Sequence, residues 1–152
     1  MKILFIGDIV GRSGREAVIK NLPNLKKKFN PDIIIANAEN AAAGYGLTKK
    51  IAEELFNQGI AVLTLGNHAW DKREMLSYIE ECPKIIRAIN YPEGVPGKGE
   101  IKITLEDGRT VLVIQVMLRL FMGIALDDPF SVLHKRLSSE RLGITSNCIL
   151  VD

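Results

Sequence analysis

Cysteine is scarce: Cys82 and Cys148 are the only two in 152 residues, far apart and without a CxxC spacing. That excludes a disulfide framework and a zinc knuckle, and it leaves reduced thiols of a cytoplasmic protein as the expected state. A dominant charge is missing too. Twenty Lys and Arg against eighteen Asp and Glu leave a formal charge of +2, too even to argue for nucleic acid or an anionic membrane surface as partner. Long apolar runs are absent. The first ends at Asp8, far short of a signal-peptide core. Residues 111–126 are interrupted by Gln115 and Arg119 and fall below the roughly 20 residues that span a bilayer. Repeats are absent as well. With 47% hydrophobic and 25% charged residues, the composition is that of an ordinary globular domain, expected to be soluble and without a membrane partner.

What is present is an alternation of short apolar runs and amphipathic segments. Residues 3–6, 33–36 and 60–65 are continuous runs rich in aliphatic residues, as expected of buried parallel strands. Between the first two, Ala17, Val18, Asn21, Leu22, Leu25 and Phe29 form a mostly apolar helical stripe that Pro23 should kink or split. Ile51, Ala52, Leu55 and Phe56 form a second stripe, with Gly59 placed for a left-handed cap. Asp71-Lys-Arg-Glu74 reads as a capping box before a helix carrying Met75, Leu76 and Ile79. Further on, a short run at 84–89 precedes a Pro/Gly loop, and Glu106-Asp107-Gly108-Arg109 predicts a hairpin turn. Residues 117–130 are expected to be irregular, 131–142 helical, and 148–151 one more buried strand. The β-α-β-α-β opening predicts an α/β fold with helices on a parallel sheet.

In such sheets ligands bind beyond the carboxyl ends of the strands. There the sequence places Gly7-Asp8, then Asn37-Ala38-Glu39-Asn40, then Gly66-Asn67-His68. These are the oxygen and nitrogen donors that divalent metals use. A bridging carboxylate can hold two metals about 3.5–4 Å apart around a phosphoryl group, and a histidine beside them can protonate a leaving oxygen. Each residue also has an ordinary structural reading. Asp8 could cap the following segment, the asparagines could form turns, Glu39 could be a satisfied surface side chain, and His68 a loop histidine. Turn formation accounts for the asparagines but not for two carboxylates and an imidazole with them. A dinucleotide site is excluded, because Gly7, Gly11 and Gly14 have the wrong spacing and Asp8 lies where a pyrophosphate needs backbone donors.

Several ordered segments carry a resemblance. They are Lys2-Ile-Leu-Phe-Ile-Gly-Asp-Ile-Val-Gly11 with Gly14-Arg15, then Ala38-Glu-Asn-Ala-Ala42 with Gly44 and Gly46-Leu-Thr48. Leu65-Gly-Asn-His-Ala-Trp-Asp-Lys72, Asn90-Tyr-Pro-Glu-Gly94, Pro96-Gly-Lys-Gly99 and Leu126-Asp-Asp-Pro-Phe130 follow. The Gly-Asn-His triplet resembles that of calcineurin-like metallophosphoesterases. The ordered set is similar to their YmdB-like bacterial branch of 2',3'-cyclic-nucleotide 2'-phosphodiesterases. The resemblance implies a layered α/β/β/α sandwich, often assembled into homo-oligomers. It implies two divalent metal ions, iron or manganese, held by Asp8, Glu39, Asn40 and Asn67 with Glu39 bridging. It implies attack on a small-molecule phosphodiester by metal-bound hydroxide, with His68 as proton donor and Asp71 either orienting His68 or capping a helix.

The sequence departs from the family pattern in two places. Leu118 stands where a glycine is expected before Arg119. The family's further metal-binding histidines lie beyond a strand corresponding to 148–151, and the only other histidine here, His134, falls in the expected helix 131–142 as an exposed residue. Residues 1–152 are therefore expected to be the N-terminal portion of a larger single domain, with apolar sheet surface left uncovered. Without those histidines, a catalytically inactive nucleotide-binding module is the alternative reading.

Overall fold

A computed structural model describes all residues from 1 to 152. Seven strands and four helices follow in the order β1 (Ile3–Ile6), α1 (Gly11–Phe29), β2 (Ile33–Asn37), α2 (Lys49–Asn57), β3 (Val62–Leu65), α3 (Met75–Glu81), β4 (Ile85–Arg87), β5 (Glu100–Thr104), β6 (Thr110–Ile114), α4 (Pro129–Leu137) and β7 (Cys148–Val151). Strands β1 to β4 form one parallel sheet in sequence order, and β5-β6-β7 form a second. In the second sheet β5 and β6 pair antiparallel as a hairpin, and β7 joins β6 in parallel.

Strand periodicity sets the layers. On β2 and β3, Ile34, Ala36, Leu63 and Leu65 face one way and pack with Leu22, Ala52, Leu55, Met75 and Ile79 from α1, α2 and α3. Ile33, Ile35 and Val62 face the other way and meet Val111 and Val113 of β6. Because both faces are covered, β2 and β3 read as almost wholly apolar runs, interrupted only by Asn37 and Thr64. On the outer face of the second sheet, α4 is tied down by Arg136 to Glu100 at 2.5 Å. The layers are thus α/β/β/α.

Several expectations are corrected. Helix α1 runs unbroken through Pro23; Leu22 beside it is 1% exposed, and this packing outweighs the one backbone hydrogen bond that proline forfeits. Asp71 and Glu74 form no capping box: α3 starts at Met75 with no side-chain cap, and Asp71 is engaged elsewhere. Helix α4 spans 129–137 rather than 131–142, started by Asp128, whose carboxylate accepts from the Ser131 N–H, and by Pro129 in the first turn. Leu118 takes no left-handed conformation; Phe121 does, with φ 60°. Gly59, with φ 87°, is left-handed as expected.

Strands β1 and β7 are not fully buried. The sandwich is closed on one side, where Lys98 bridges to Ile86 and the Arg87 N–H donates to the Lys98 carbonyl. On the opposite side β1 and β7 are both edges. Phe5 is 37% and Val151 43% exposed there, so an apolar run alone does not distinguish a central strand from an edge.

Candidate active site at the strand ends

Backbone pairing continues past the strands and draws their loops together. The Ile9 N–H donates to the Asn37 carbonyl and the Gly11 N–H to the Asn40 carbonyl, linking the loop after β1 to the loop after β2. The Ala38 N–H donates to the Thr64 carbonyl, linking the loop after β2 to β3. Three loops are thereby held side by side at one sheet edge, as successive parallel strands in the order β1-β2-β3 require.

Within this frame Asp8 caps nothing, since α1 begins behind Val10 without a side-chain cap. Its carboxylate instead accepts from Asn40 Nδ2, at 2.9 Å to Oδ1 and 3.1 Å to Oδ2. Glu39 is half-buried, and its carboxylate accepts the His68 N–H at 3.3 Å. A Cβ on Gly66 would lie 2.7 Å from both Glu39 oxygens, so the missing side chain of Gly66 is the space that this carboxylate fills.

His68 is fixed from two directions. Its Nδ1 lies 2.7 Å from Asp71 Oδ2; a carboxylate only accepts, so Nδ1 carries the proton and Nε2 is left for other work. Tyr45 packs edge-on against its ring with centroids 5.2 Å apart. Asn67 follows β3, half-buried, and its side chain makes no hydrogen bond within the chain. The structure thus brings Asp8 to Asn40 and Glu39 to His68, and it leaves Asn67 free beside them. His134 is exposed on α4. The cavity of about 530 Å³ lined by Asn30, Asp32, Glu106 and Asp107 lies at the amino ends of the strands, at the opposite edge.

Sequence reasoning missed Asp152, Thr64 and Tyr45. Asp152 follows β7 as Asp8 follows β1, so reading strand ends in the second sheet as well would have found it. Thr64 was detectable as the one polar residue in an otherwise apolar strand, and it is fully buried.

The donor chemistry fits a hard divalent cation, with two carboxylates and amide oxygens around a glycine-lined cradle. The donor number does not complete a shell: no three His, Cys, Asp or Glu side chains converge within ligating reach.

An α/β/β/α sandwich presenting acids, amides and a carboxylate-held imidazole at its parallel strand ends is a fold of the metallophosphoesterase class. The model of the YmdB-like protein family matches residues 4–152, and the chain belongs to that family. It is 47% identical over 130 residues to a Bacillus subtilis protein named 2',3'-cyclic-nucleotide 2'-phosphodiesterase, with 86% of this chain and 48% of that protein covered. Among solved structures, a hypothetical protein from Thermus thermophilus is 40% identical with a TM-score of 0.88, covering 99% of this chain and 56% of that one. A structure described as a novel phosphatase from Mycoplasma pneumoniae is 26% identical with a TM-score of 0.89, covering 100% and 54%. The chain spans about half the length of the relatives it matches. No helix is long and apolar enough to cross a membrane.

Proposed function

We propose that the chain carries part of the active centre of a metal-dependent phosphodiesterase acting on 2',3'-cyclic nucleotides. The observation that supports this best is the Glu39 carboxylate, seated in the space that Gly66 leaves open and held by the His68 N–H. Asp8, Glu39, Asn40 and Asn67 would hold two divalent ions, iron or manganese. These four side chains do not by themselves complete a coordination shell. When bound, the ions supply charge neutralisation on the phosphoryl group and a lowered pKa for attacking water.

The chain's own residues account for the rest. Water attacks phosphorus and releases one proton to solvent, the bond from phosphorus to the 2'-oxygen breaks, and His68, carrying a proton on Nε2 as well as on Nδ1, gives the Nε2 proton to that oxygen. Asp71, 2.7 Å from Nδ1, fixes the ring and stabilises the imidazolium before transfer. Tyr45 limits the ring's rotation.

The absence of any converging set of three ligating side chains favours a second reading, a nucleotide-binding module without turnover. Hydrolysis of 2',3'-cyclic AMP by the full native chain, with Mn²⁺ or with chelator, separates the two. The phosphodiesterase reading expects metal-dependent turnover that Glu39→Ala and His68→Ala each abolish. Nucleotide binding without metal and without turnover would establish the module. Wild-type rates in both variants would overturn the residue roles.

A further inference from the structure

Behind Glu39 lies a polar cluster that the proposed chemistry does not use. Asp152 Oδ2 accepts from Thr64 Oγ1 at 2.5 Å and from Asn37 Nδ2 at 3.1 Å. With its amide turned so that the nitrogen faces the carboxylate, Gln115 donates to the same oxygen at 2.6 Å. Thr64 is 0%, Gln115 4% and Asn37 8% exposed, so the cluster sits between the ends of the two sheets. Asp152 is also locked by backbone: its N–H donates to the Ile114 carbonyl, and its own carbonyl accepts from Val116. Asn37 faces both ways. While its amide nitrogen reaches Asp152, its Oδ1 accepts the Glu39 N–H at 3.2 Å.

A turn asparagine free to rotate would hold the following N–H weakly. Here the carboxylate fixes which end of the amide points where, because it accepts only and so selects the nitrogen. The oxygen is then aimed at the Glu39 N–H. We infer that Asn37 and Asp152 are positioning residues for Glu39: the second sheet, through Asp152, sets the Asn37 amide, and Asn37 sets the turn that places the Glu39 carboxylate. This rests on the reading of Glu39 as a metal ligand. Three donors on one carboxylate oxygen in a buried setting make the cluster stiff.

A reciprocal swap in the full native chain tests the relay. Asn37→Asp puts two carboxylates face to face and removes the donor to Asp152. Asp152→Asn keeps an acceptor for Thr64 and Gln115. The double variant restores one donor and one acceptor between the positions, and the carboxylate then at position 37 still accepts the Glu39 N–H. Two readouts are taken, Mn²⁺ affinity by titration and hydrogen exchange of the amides of residues 38–40. Asn37→Asp is expected to weaken Mn²⁺ about tenfold or more and to speed exchange, and the double variant to recover most of both, as coupled neighbours do. Asn37→Ala, which adds no charge, is expected to speed exchange as well and decides the matter should Asn37→Asp fail to fold.

A lower thermal midpoint with unchanged affinity and exchange would overturn the inference, since a mere bolt between sheets behaves that way. If the native chain binds no Mn²⁺, the metal reading fails. Exchange then decides the relay alone: protection lost in Asn37→Asp and regained in the double variant supports it, and protection not regained overturns it.

Discussion

Replacing Gly66 by alanine adds a single methyl group at the point where the Glu39 carboxylate now sits, and the geometry fixes what must follow. The added carbon would lie 2.7 Å from each carboxylate oxygen, whereas ordinary contact begins at 3.4 Å, so the carboxylate must retreat by about 0.7 Å. Gly66 is not among the glycines with positive φ, so alanine fits the backbone and even narrows the unfolded ensemble by about 0.4–1 kcal/mol. The retreat costs one long hydrogen bond, from the His68 N–H at 3.3 Å, about 1 kcal/mol at most. The two effects nearly cancel, and the melting temperature should move by no more than about 4 °C. Function should not be spared. A ligand displaced beyond about 0.5 Å falls outside productive geometry, and misplacements near 1 Å cost about 10²-fold. The assay pairs a melt with Mn²⁺ titration and turnover of 2',3'-cyclic AMP. Gly99→Ala is the contrasting control, because its Cβ would overlap the Ile89 backbone and must cost stability first. Full activity and metal affinity in Gly66→Ala, with an unchanged melt, would refute the idea that Glu39 works from this seat.

Two other outcomes are expected. Asp71→Ala should lower kcat by about 10-fold to 10²-fold while leaving Mn²⁺ affinity untouched, with Asp71→Asn, which can still accept from Nδ1, intermediate; a loss confined to metal affinity would make Asp71 part of the ligand shell instead. Glu140, whose carboxylate accepts from Thr145, Ser146, Arg136 and Lys102, is held down at about 2, chiefly by the Thr145 and Ser146 hydroxyls. Because the unfolded chain takes up that proton first, its stabilising contribution is complete above about pH 4.5, declines as pH falls, and is gone below about pH 2. Acid denaturation followed by circular dichroism should therefore be shallower in Glu140→Gln, and an identical acid limb in both proteins would dismiss the clamp.

Much of this was legible in the chain because strand ends are positions that sequence can name. Ile33 to Asn37 and Val62 to Leu65 are apolar enough to read as strands, and each hands its next few residues to one sheet edge. Fold class, the parallel sheet, the hairpin at Gly108 and the gathering of Asp8, Glu39, Asn40 and His68 follow from that. What failed was local chemistry decided by distant partners. Asp71 has the spacing of a cap, but His68 offers its Nδ1 three residues earlier and wins the carboxylate. Pro23 has the signature of a break, but the packing that buries Leu22 holds the helix through it. Asn37 reads as a turn former, which it is; that its amide is set by Asp152 depends on a contact between two sheets that no local pattern encodes.

The same limit explains why β1 and β7 look buried in sequence and are not, and it yields a test of the open side of the sandwich. Phe5, Leu150, Val151 and Asp152 line one small cavity of about 150 Å³ between the two edge strands, where unpaired backbone groups lie next to exposed aliphatic and aromatic carbon. Edges of this kind recruit other chains unless they are blunted by charge or covered. Neither strand carries a charged side chain within its bounds: β1 is Ile-Leu-Phe-Ile and β7 is Cys-Ile-Leu-Val. The 152-residue chain should therefore bind a hydrophobic dye and grow in sedimentation coefficient with concentration. Placing lysine at Phe5 and Val151, whose side chains are already the more exposed of the set, should suppress both effects without disturbing Ile33, Ile35 or Val113 in the layer beneath. A segment that stays monomeric and dye-silent at every concentration would mean that the twist of these two strands alone protects the edge.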